Sequence, residues 1–138
     1  MSATEFVASS VATLLIQEKQ ILLGRRFEQD GKNALFSGWQ CPGGYLKKGE
    51  SIEQAAQRHC LQKAGIEISQ LRAGPYSNNI FSERLHTTTL YIIAEKYQLI
   101  DQLQFKNMSD EWSWFDIAHL PESLYLPLRL LRLDKIFL

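Results

Sequence analysis

The chain has 138 residues, of which 45% are hydrophobic and 22% charged, the balance of an ordinary single globular domain. Lys and Arg together number 15, as do Asp and Glu, so no net charge recruits nucleic acid or a membrane surface. Two cysteines are too few for a disulfide framework, and no apolar stretch approaches the length of a membrane span. Without a signal-peptide pattern at the N-terminus, we expect residues 1–138 to form one cytoplasmic domain with two buried thiols.

The first part of the chain predicts a pair of strands followed by a loop. Residues 7–16 are rich in β-branched and apolar side chains, and 21–26 form a second apolar run, so the short polar segment between them predicts a hairpin. Turn dipeptides at 30–31 and 37–38 predict a loop, after which 39–42 forms a short extended piece.

The middle of the chain predicts a helix from Ser51 to about Ala64. Ser51 is a good N-cap, and Gln54, three residues later, completes a capping box. Gly65 provides the C-terminal stop.

The last part predicts two strands and a helix. Residues 85–94 alternate in polarity and predict a strand, and 112–115 predict a shorter one. Leu120-Pro121 breaks the chain, and 124–138 predicts a final amphipathic helix with Pro127 in its first turn. The alternation of strands and helices indicates an α/β layered domain.

A motif spans residues 44–66, which read GYLKKGESIEQAAQRHCLQKAGI. It resembles the Nudix box, in which a glycine, five residues, a glutamate and seven residues precede R-E-U-x-E-E-x-G-U, where U is apolar. The positions that match the framework of this pattern are Gly44, Glu50, Arg58 and Gly65. Trp39, the Pro-Gly-Gly at 42–44 and the Trp-Ser-Trp-Phe at 112–115 are also typical of the family. The resemblance implies the MutT-like Nudix fold, an α/β/α sandwich with a mixed central sheet, and a hydrolase of nucleoside diphosphates linked to another group.

The sequence departs from the box where the family has three glutamates, because His59, Gln62 and Lys63 stand there. In the family, those carboxylates hold a divalent metal, usually magnesium, beside a backbone carbonyl that maps to Gly43. Magnesium prefers hard oxygen ligands, and a charged lysine offers no lone pair. We therefore predict no metal or other cofactor at the box, with Mg²⁺ only if the chain is an active hydrolase. Lys63 could instead occupy the metal's space and contact phosphate oxygens.

Residues outside these three positions supply further candidates for the site. For catalysis the candidates are Asp110, Glu111 and His86, with solvated turn residues and a hydrogen-bonded structural histidine as the alternative interpretation. For substrate binding they are Arg25, Arg26, Gly43, Gly44, Lys63 and Arg84, although the arginines could equally be ordinary surface charge. Glu50 is predicted to form a salt bridge with Arg58. Four aromatic residues could stack on a base: Trp39, Tyr45, Tyr76 and Phe81.

Three functions remain open. The first is a binder of a nucleotide or nucleotide sugar whose hydrolase activity is lost or weak. The second is an active, non-classical Nudix hydrolase of nucleotide sugars or nucleoside triphosphates that uses acids or a histidine outside the box. The GDP-mannose mannosyl hydrolases, with a reduced box and a histidine base, are similar in kind, but they keep a glutamate where Lys63 stands. The third is a protein-interaction module or homodimer without a small ligand.

Overall fold

The computed structural model describes residues 6–26, 38–100 and 112–137, with the side chain of Arg26 outside the description. Seven strands lie in these ranges: β1 Ala8–Gln17, β2 Gln20–Arg26, β3 Gly38–Gln40, β4 Gly43–Tyr45, β5 Ile66–Ile80, β6 His86–Leu99 and β7 Trp112–Asp116. The helices are α1 Ile52–Ala64, α2 Leu126–Leu131 and α3 Leu133–Phe137, with a 3-10 turn at Ile117–His119. Among the described residues, no helix is both long and apolar enough to cross a membrane.

The strands form one mixed sheet in the order β3-β2-β1-β6-β5, with β4 paired to β1 and β7 paired to β2. β1 and β6 run parallel, and the other pairs are antiparallel. The predicted hairpin between β1 and β2 is confirmed, with Gln17 opposite Gln20. Glu18 and Lys19 both have positive φ, at 52° and 66°, as a two-residue turn between twisted strands requires.

The helices cover both faces of the sheet, which confirms the predicted α/β/α sandwich with a mixed sheet. The buried face of α1 packs on one side of β1, where Val11 and Leu15 point. Helices α2 and α3 pack on the other side, against Leu14 and other residues of that face. Because β1 is covered on both faces, its central residues are buried without a polar alternation.

Helix α1 begins and ends as its sequence predicts. The Ser51 side chain accepts a hydrogen bond from the Gln54 N–H, and the Gln54 side chain accepts one from the Ser51 N–H. Gly65 ends the helix in the left-handed conformation, with φ 67° and ψ 28°. These caps fix the register of α1 and thereby the positions of His59 and Lys63 at its C-terminal end.

The structure differs from the predicted elements in two places and adds a strand that was not predicted. The helix expected over 124–138 is interrupted, because Arg132 adopts a left-handed conformation (φ 57°, ψ 66°) that separates α2 from α3. Strand β5, with 15 residues, was not predicted at all. Strand β6 continues to Leu99, beyond the expected end at 94, because it pairs with β5 along that length.

Candidate functional site

A cavity of about 680 Å³ opens between α1 with β4 on one side and β6 with α2 on the other. Its volume lies within the range of small-molecule sites. The box and the glycine that precedes it contribute these described residues to its lining: Gly43, Gly44, Tyr45, Lys47, Arg58, His59 and Lys63. The remainder of the sheet and α2 contribute a second group, which includes Ser10, Gln40, Phe81, Thr87, Thr89 and Tyr125.

Two glycines allow β4 to pack closely on its neighbours. A Cβ atom at Gly43 would lie 2.5 Å from the Val11 carbonyl oxygen of the neighbouring strand. A Cβ atom at Gly44 would lie 2.4 Å from Cε1 of His59. Neither contact is tolerable, so Gly43 lets β4 lie close to β1, and Gly44 lets His59 pack directly on β4.

Lys63 lies in the last turn of α1 and reaches back to β4. Its Nζ donates a hydrogen bond to the carbonyl oxygen of Gly43, and both residues line the cavity. A lysine in the last turn of a helix is also favoured by the negative end of the helix dipole. The structure thus places the ammonium group on the backbone carbonyl of the residue that immediately precedes the box.

His59 is almost fully buried, with 5% of its surface exposed. Its Nε2 lies 3.0 Å from the carbonyl oxygen of Tyr45, so Nε2 carries the proton and donates. Burial lowers the pKa of His59, and the positive charges of Lys63 and Arg58 lower it further. The ring is therefore held neutral, with a buried Nδ1 that has no hydrogen-bond partner among the described residues.

The predicted Glu50–Arg58 salt bridge is present. Arg58 Nε lies 2.7 Å from Glu50 Oε2, and Nη2 lies 2.9 Å from Oε1, a bidentate arrangement. The hydrogen bond from Arg58 is the largest cause that lowers the pKa of Glu50 to about 2, and the Lys47 N–H adds to it. Arg58 also donates to the Tyr45 carbonyl over 3.2 Å, so the pair fixes the loop between β4 and α1.

The charges that face the cavity are of one sign. Among the described lining residues, Lys47, Arg58 and Lys63 are cationic, and none is aspartate or glutamate. Glu50 does not line the cavity, and its carboxylate is paired with Arg58. Low-dielectric walls strengthen the attraction of such a group of cations for an anion.

Polar side chains of β5 and β6 form a hydrogen-bonded group beside the cavity, and Thr87 and Thr89 line it. The Asn79 Nδ2 donates to Thr87 Oγ1 over 3.0 Å and to Thr89 Oγ1 over 2.9 Å. Aromatic rings accompany them, since Phe81 and Tyr125 both line the cavity with their ring centroids 5.8 Å apart.

Several predicted substrate-binding and catalytic residues lie away from this cavity. Arg25 and Arg84 are exposed and do not line it, and Arg84 belongs to the turn between β5 and β6. Arg26 ends β2. His86 does not line it either, since its Nε2 contacts Asn78 Oδ1 instead. The two acids at 110 and 111 lie outside the described residues.

Other predicted residues divide between the cavity and the rest of the fold. Tyr45 and Phe81 line the cavity, whereas Trp39 packs against Phe115 in the core with ring centroids 4.8 Å apart. Tyr76 is 72% exposed on the outer face of β5. Gln62 is exposed and does not line the cavity, so the three substituted box positions do not share one environment.

The two cysteines are buried thiols, as predicted. Burial is the main cause that raises the pKa of Cys60 to about 12, and burial also raises the pKa of Cys41. Both therefore remain protonated at neutral pH and are poor nucleophiles.

Sequence reasoning missed Lys47, Ser10, Thr87, Thr89 and Tyr125 as cavity residues. The alternation of side chains along residues 87–91 was a usable signal, because in a strand it places Thr87, Thr89 and Tyr91 on one face. For Tyr125 there was none, since its position depends on how the chain returns across β3.

The mixed sheet, the two helical layers and this cavity define an α/β fold with a ligand-sized site between the box helix and the sheet. A family model described as "NUDIX domain" matches residues 7–133. The chain therefore belongs to the Nudix family.

Related sequences and solved structures agree with this assignment. The chain is 30% identical over 114 residues to an oxidized purine nucleoside triphosphate hydrolase of Danio rerio, covering 80% of this chain and 67% of that protein. It is 35% identical over 60 residues to an RNA pyrophosphohydrolase of Wolbachia pipientis, covering 44% of this chain and 33% of that protein. A MutT NUDIX hydrolase structure from Burkholderia pseudomallei shares the fold with a TM-score of 0.76 at 17% identity, covering 95% and 98% of the two chains.

Proposed function

We propose that this Nudix protein binds a nucleotide or nucleotide sugar through its phosphates without requiring a divalent metal, and that its hydrolase activity is weak or lost. The observation that carries the proposal is the ammonium group of Lys63 on the Gly43 carbonyl, inside a cavity whose described lining is cationic. An ammonium group with three N–H donors can contact this carbonyl and a phosphate oxygen together.

The residues at the three substituted box positions do not fit magnesium. His59 is a nitrogen ligand, its Nε2 is engaged by Tyr45, and its Nδ1 is buried. Gln62 is exposed, and the charged Lys63 offers no lone pair. Within the described ranges, no group of three or more His, Cys, Asp or Glu residues could hold a metal ion. This donor set supports phosphate binding by side chains over metal-assisted hydrolysis.

The same substitution explains why hydrolysis would be weak. Attack of water on phosphorus is aided by a cation that stabilises the developing charge and by a group that activates the water. Lys63 supplies one positive charge, and its ammonium group already donates one of its hydrogen bonds to the Gly43 carbonyl. Glu50 is too weak a base to activate water, because the hydrogen bonds from Arg58 hold its carboxylate and lower its pKa to about 2.

Ligand-dependent stabilisation tests the binding function. Melting temperatures should be measured with inorganic diphosphate, nucleoside diphosphates and nucleotide sugars, each with magnesium and with a chelator. We expect phosphate-bearing ligands to stabilise the protein with the chelator present, and magnesium to give no further stabilisation. Lys63→Gln should weaken binding by about tenfold or more, the usual cost of losing one charge-assisted hydrogen bond.

The matched control for that variant is Lys48→Gln. Lys48 is exposed in the loop before α1 and does not line the cavity. The Lys48→Gln variant also removes one positive charge near the site. Because Lys48 does not line the cavity, this variant should leave the affinity nearly unchanged. Equal losses in the two variants would show that only the general field of the protein acts, and the proposed role of Lys63 would be wrong.

An active hydrolase is the alternative, and the relatives favour it, since both curated proteins named above are described as hydrolases. In that case the catalytic groups would be Asp110 and Glu111 or another group outside the box. Magnesium-dependent phosphate or diphosphate release at ordinary enzyme rates, lost in Asp110→Asn or Glu111→Gln, would establish this alternative over the first proposal.

A further inference from the structure

One edge of the sheet is unprotected along the second half of β5. β5 is the last strand in the order of the sheet, and no strand in the described ranges pairs with its outer edge. Charged side chains, prolines and bulges usually protect such an edge from pairing with another chain. The first half of β5 has them, because Arg72 is exposed and Pro75 lies at the irregularity in the pairing with β6. Residues 76–80, which read YSNNI, contain no charged residue, proline or glycine.

The backbone groups of alternate residues in this segment point away from the sheet. At the turn between β5 and β6, the Phe81 N–H donates to the Leu85 carbonyl over 3.0 Å. Alternate residues of a strand direct their N–H and C=O groups to opposite sides, so the odd-numbered residues of 76–80 face β6 and the even-numbered ones face the free edge. The even-numbered residues therefore offer three N–H and three C=O groups to a further strand.

The exposed side chains of this segment are complementary to a second copy of themselves. In an antiparallel pair about a two-fold axis at Asn78, that residue lies opposite itself and Tyr76 lies opposite the partner's Ile80. Tyr76 and Ile80 are 72% and 63% exposed, on the outer face of the strand. An aromatic ring beside a β-branched side chain is a favourable cross-strand pair, and the two-fold axis forms this pair twice.

On the inner face of the strand, the same axis brings two buried polar atoms together. The Ser77 Oγ and the Asn79 Oδ1 have no hydrogen-bond partner among the described residues. Asn79 donates both N–H bonds of its amide to Thr87 and Thr89, so its Oδ1 is an acceptor that this polar network leaves unused. With the axis at Asn78, Ser77 lies directly opposite the partner's Asn79, and its hydroxyl can donate to that Oδ1. The pairing thus satisfies buried polar atoms that are unfavourable in the single chain.

We propose that β5 pairs with β5 of a second copy, antiparallel about a two-fold axis at Asn78, and that the resulting homodimer has one sheet running through both subunits. The chain has no net charge at pH 7, so no general repulsion keeps two copies apart. Two segments of five residues bury less than the about 1,200 Å² of stable complexes, so the dimer should be weak and should depend on concentration. The surface lies outside the cavity, and the inference does not depend on the proposed phosphate binding.

Disulfide trapping tests the position of the axis. Asn78→Cys should form an intermolecular disulfide under mild oxidation, because residue 78 faces itself with Cα atoms about 5.5 Å apart, within the range that a disulfide spans. Tyr76→Cys and Ile80→Cys are matched controls on the same exposed face. Each position lies about 14 Å from its own copy, at about 3.4 Å per residue, so neither variant should cross-link alone. An equal mixture of these two variants should cross-link, because the axis places residue 76 opposite residue 80.

The pattern of cross-links decides between pairing and collision. Both native cysteines are buried, so they should not contribute to it. Equal cross-linking of all three single variants would show random collision of exposed thiols. Cross-linking of none of them, alone or mixed, would show that the segment meets no second copy. Either result would overturn the proposal.

Sedimentation equilibrium of the unmodified chain measures the dimer itself. The average mass should rise above that of one chain as the concentration increases from about 5 to about 500 µM, as a small interface requires. Asn78→Pro removes the outward N–H at the axis and leaves the pairing with β6 intact, so it should weaken dimerisation by at least about tenfold. Asn78→Ala keeps that N–H and should retain the dimer. A chain that stays monomeric over the whole range, or equal association of the two variants, would contradict the proposal.

Discussion

The closest packing in the site provides a quantitative test of the position of His59. Gly44→Ala would add a Cβ atom 2.4 Å from His59 Cε1 and 2.9 Å from both ring nitrogens. The Gly44 backbone is not left-handed, so the cost arises from this contact and not from strained dihedral angles. The ring cannot simply turn away, because it is buried and its Nε2 is bound to the Tyr45 carbonyl.

Forced overpacking of this kind costs about 1–3 kcal/mol. For a domain of this size, 1 kcal/mol corresponds to roughly 4 °C in melting temperature, so Gly44→Ala should melt roughly 4–12 °C lower. Differential scanning calorimetry measures this shift. The same glycine substitution in a His59→Ala background should cost at least about 1 kcal/mol less, because the clashing ring is gone. Equal costs in the two backgrounds would refute the packing of His59 on Gly44.

Further predictions concern the same side chains. Because the folded-state pKa of His59 is lowered, the unfolded chain binds the proton more readily, and stability should fall as the pH drops below about 6.5. Urea unfolding at pH 7 and pH 5 should show a smaller decrease for His59→Gln, and equal decreases would contradict the assignment. The combined variant His59→Glu, Gln62→Glu and Lys63→Glu should gain magnesium affinity by calorimetry, and a variant that gains none would mean that the box is aligned wrongly. Asn79→Ala should lose about 1–3 kcal/mol of unfolding free energy, whereas Thr88→Val should change it by less than about 0.5 kcal/mol, and a comparable loss in both would argue against the network.

Elements specified by local signals were predictable from the sequence. The capping box of Ser51 and Gln54 and the terminal Gly65 determine α1 from residues that are neighbours in the chain. Strand β5 carries no such signal, because Gly74 and Pro75 interrupt it. The strand tolerates them through an irregularity in its pairing with β6 between Ala73 and Tyr76, at the edge of the sheet.

The break of the C-terminal helix, like strand β5, has no local signal in the sequence. Arg132 adopts a left-handed conformation that favours glycine or asparagine, so the local sequence gives no reason for a stop. Burial of Leu128, Leu131 and Leu133 against the sheet offers the physical reason, since one straight helix would not present all three to that face.

The candidate site was predictable only in part. The resemblance to the Nudix box implied that position 63 lies near the Gly43 carbonyl, but the direct hydrogen bond between Lys63 and that carbonyl was not predicted. The pairing of Asn79 with Thr87 depends on the register of β5 against β6, which the sequence does not reveal. Arg25 and Arg84 were interpreted from charge alone, and charge does not indicate on which side of a strand or turn a side chain lies.

The most direct test of the central claim is the affinity of the wild-type chain for inorganic diphosphate, measured by titration calorimetry once with magnesium and once with a chelator. Binding by Lys63 and the neighbouring cations predicts a measurable affinity with the chelator that magnesium does not increase. Binding that appears only with magnesium would contradict the account, because the metal and not the lysine would then hold the phosphate.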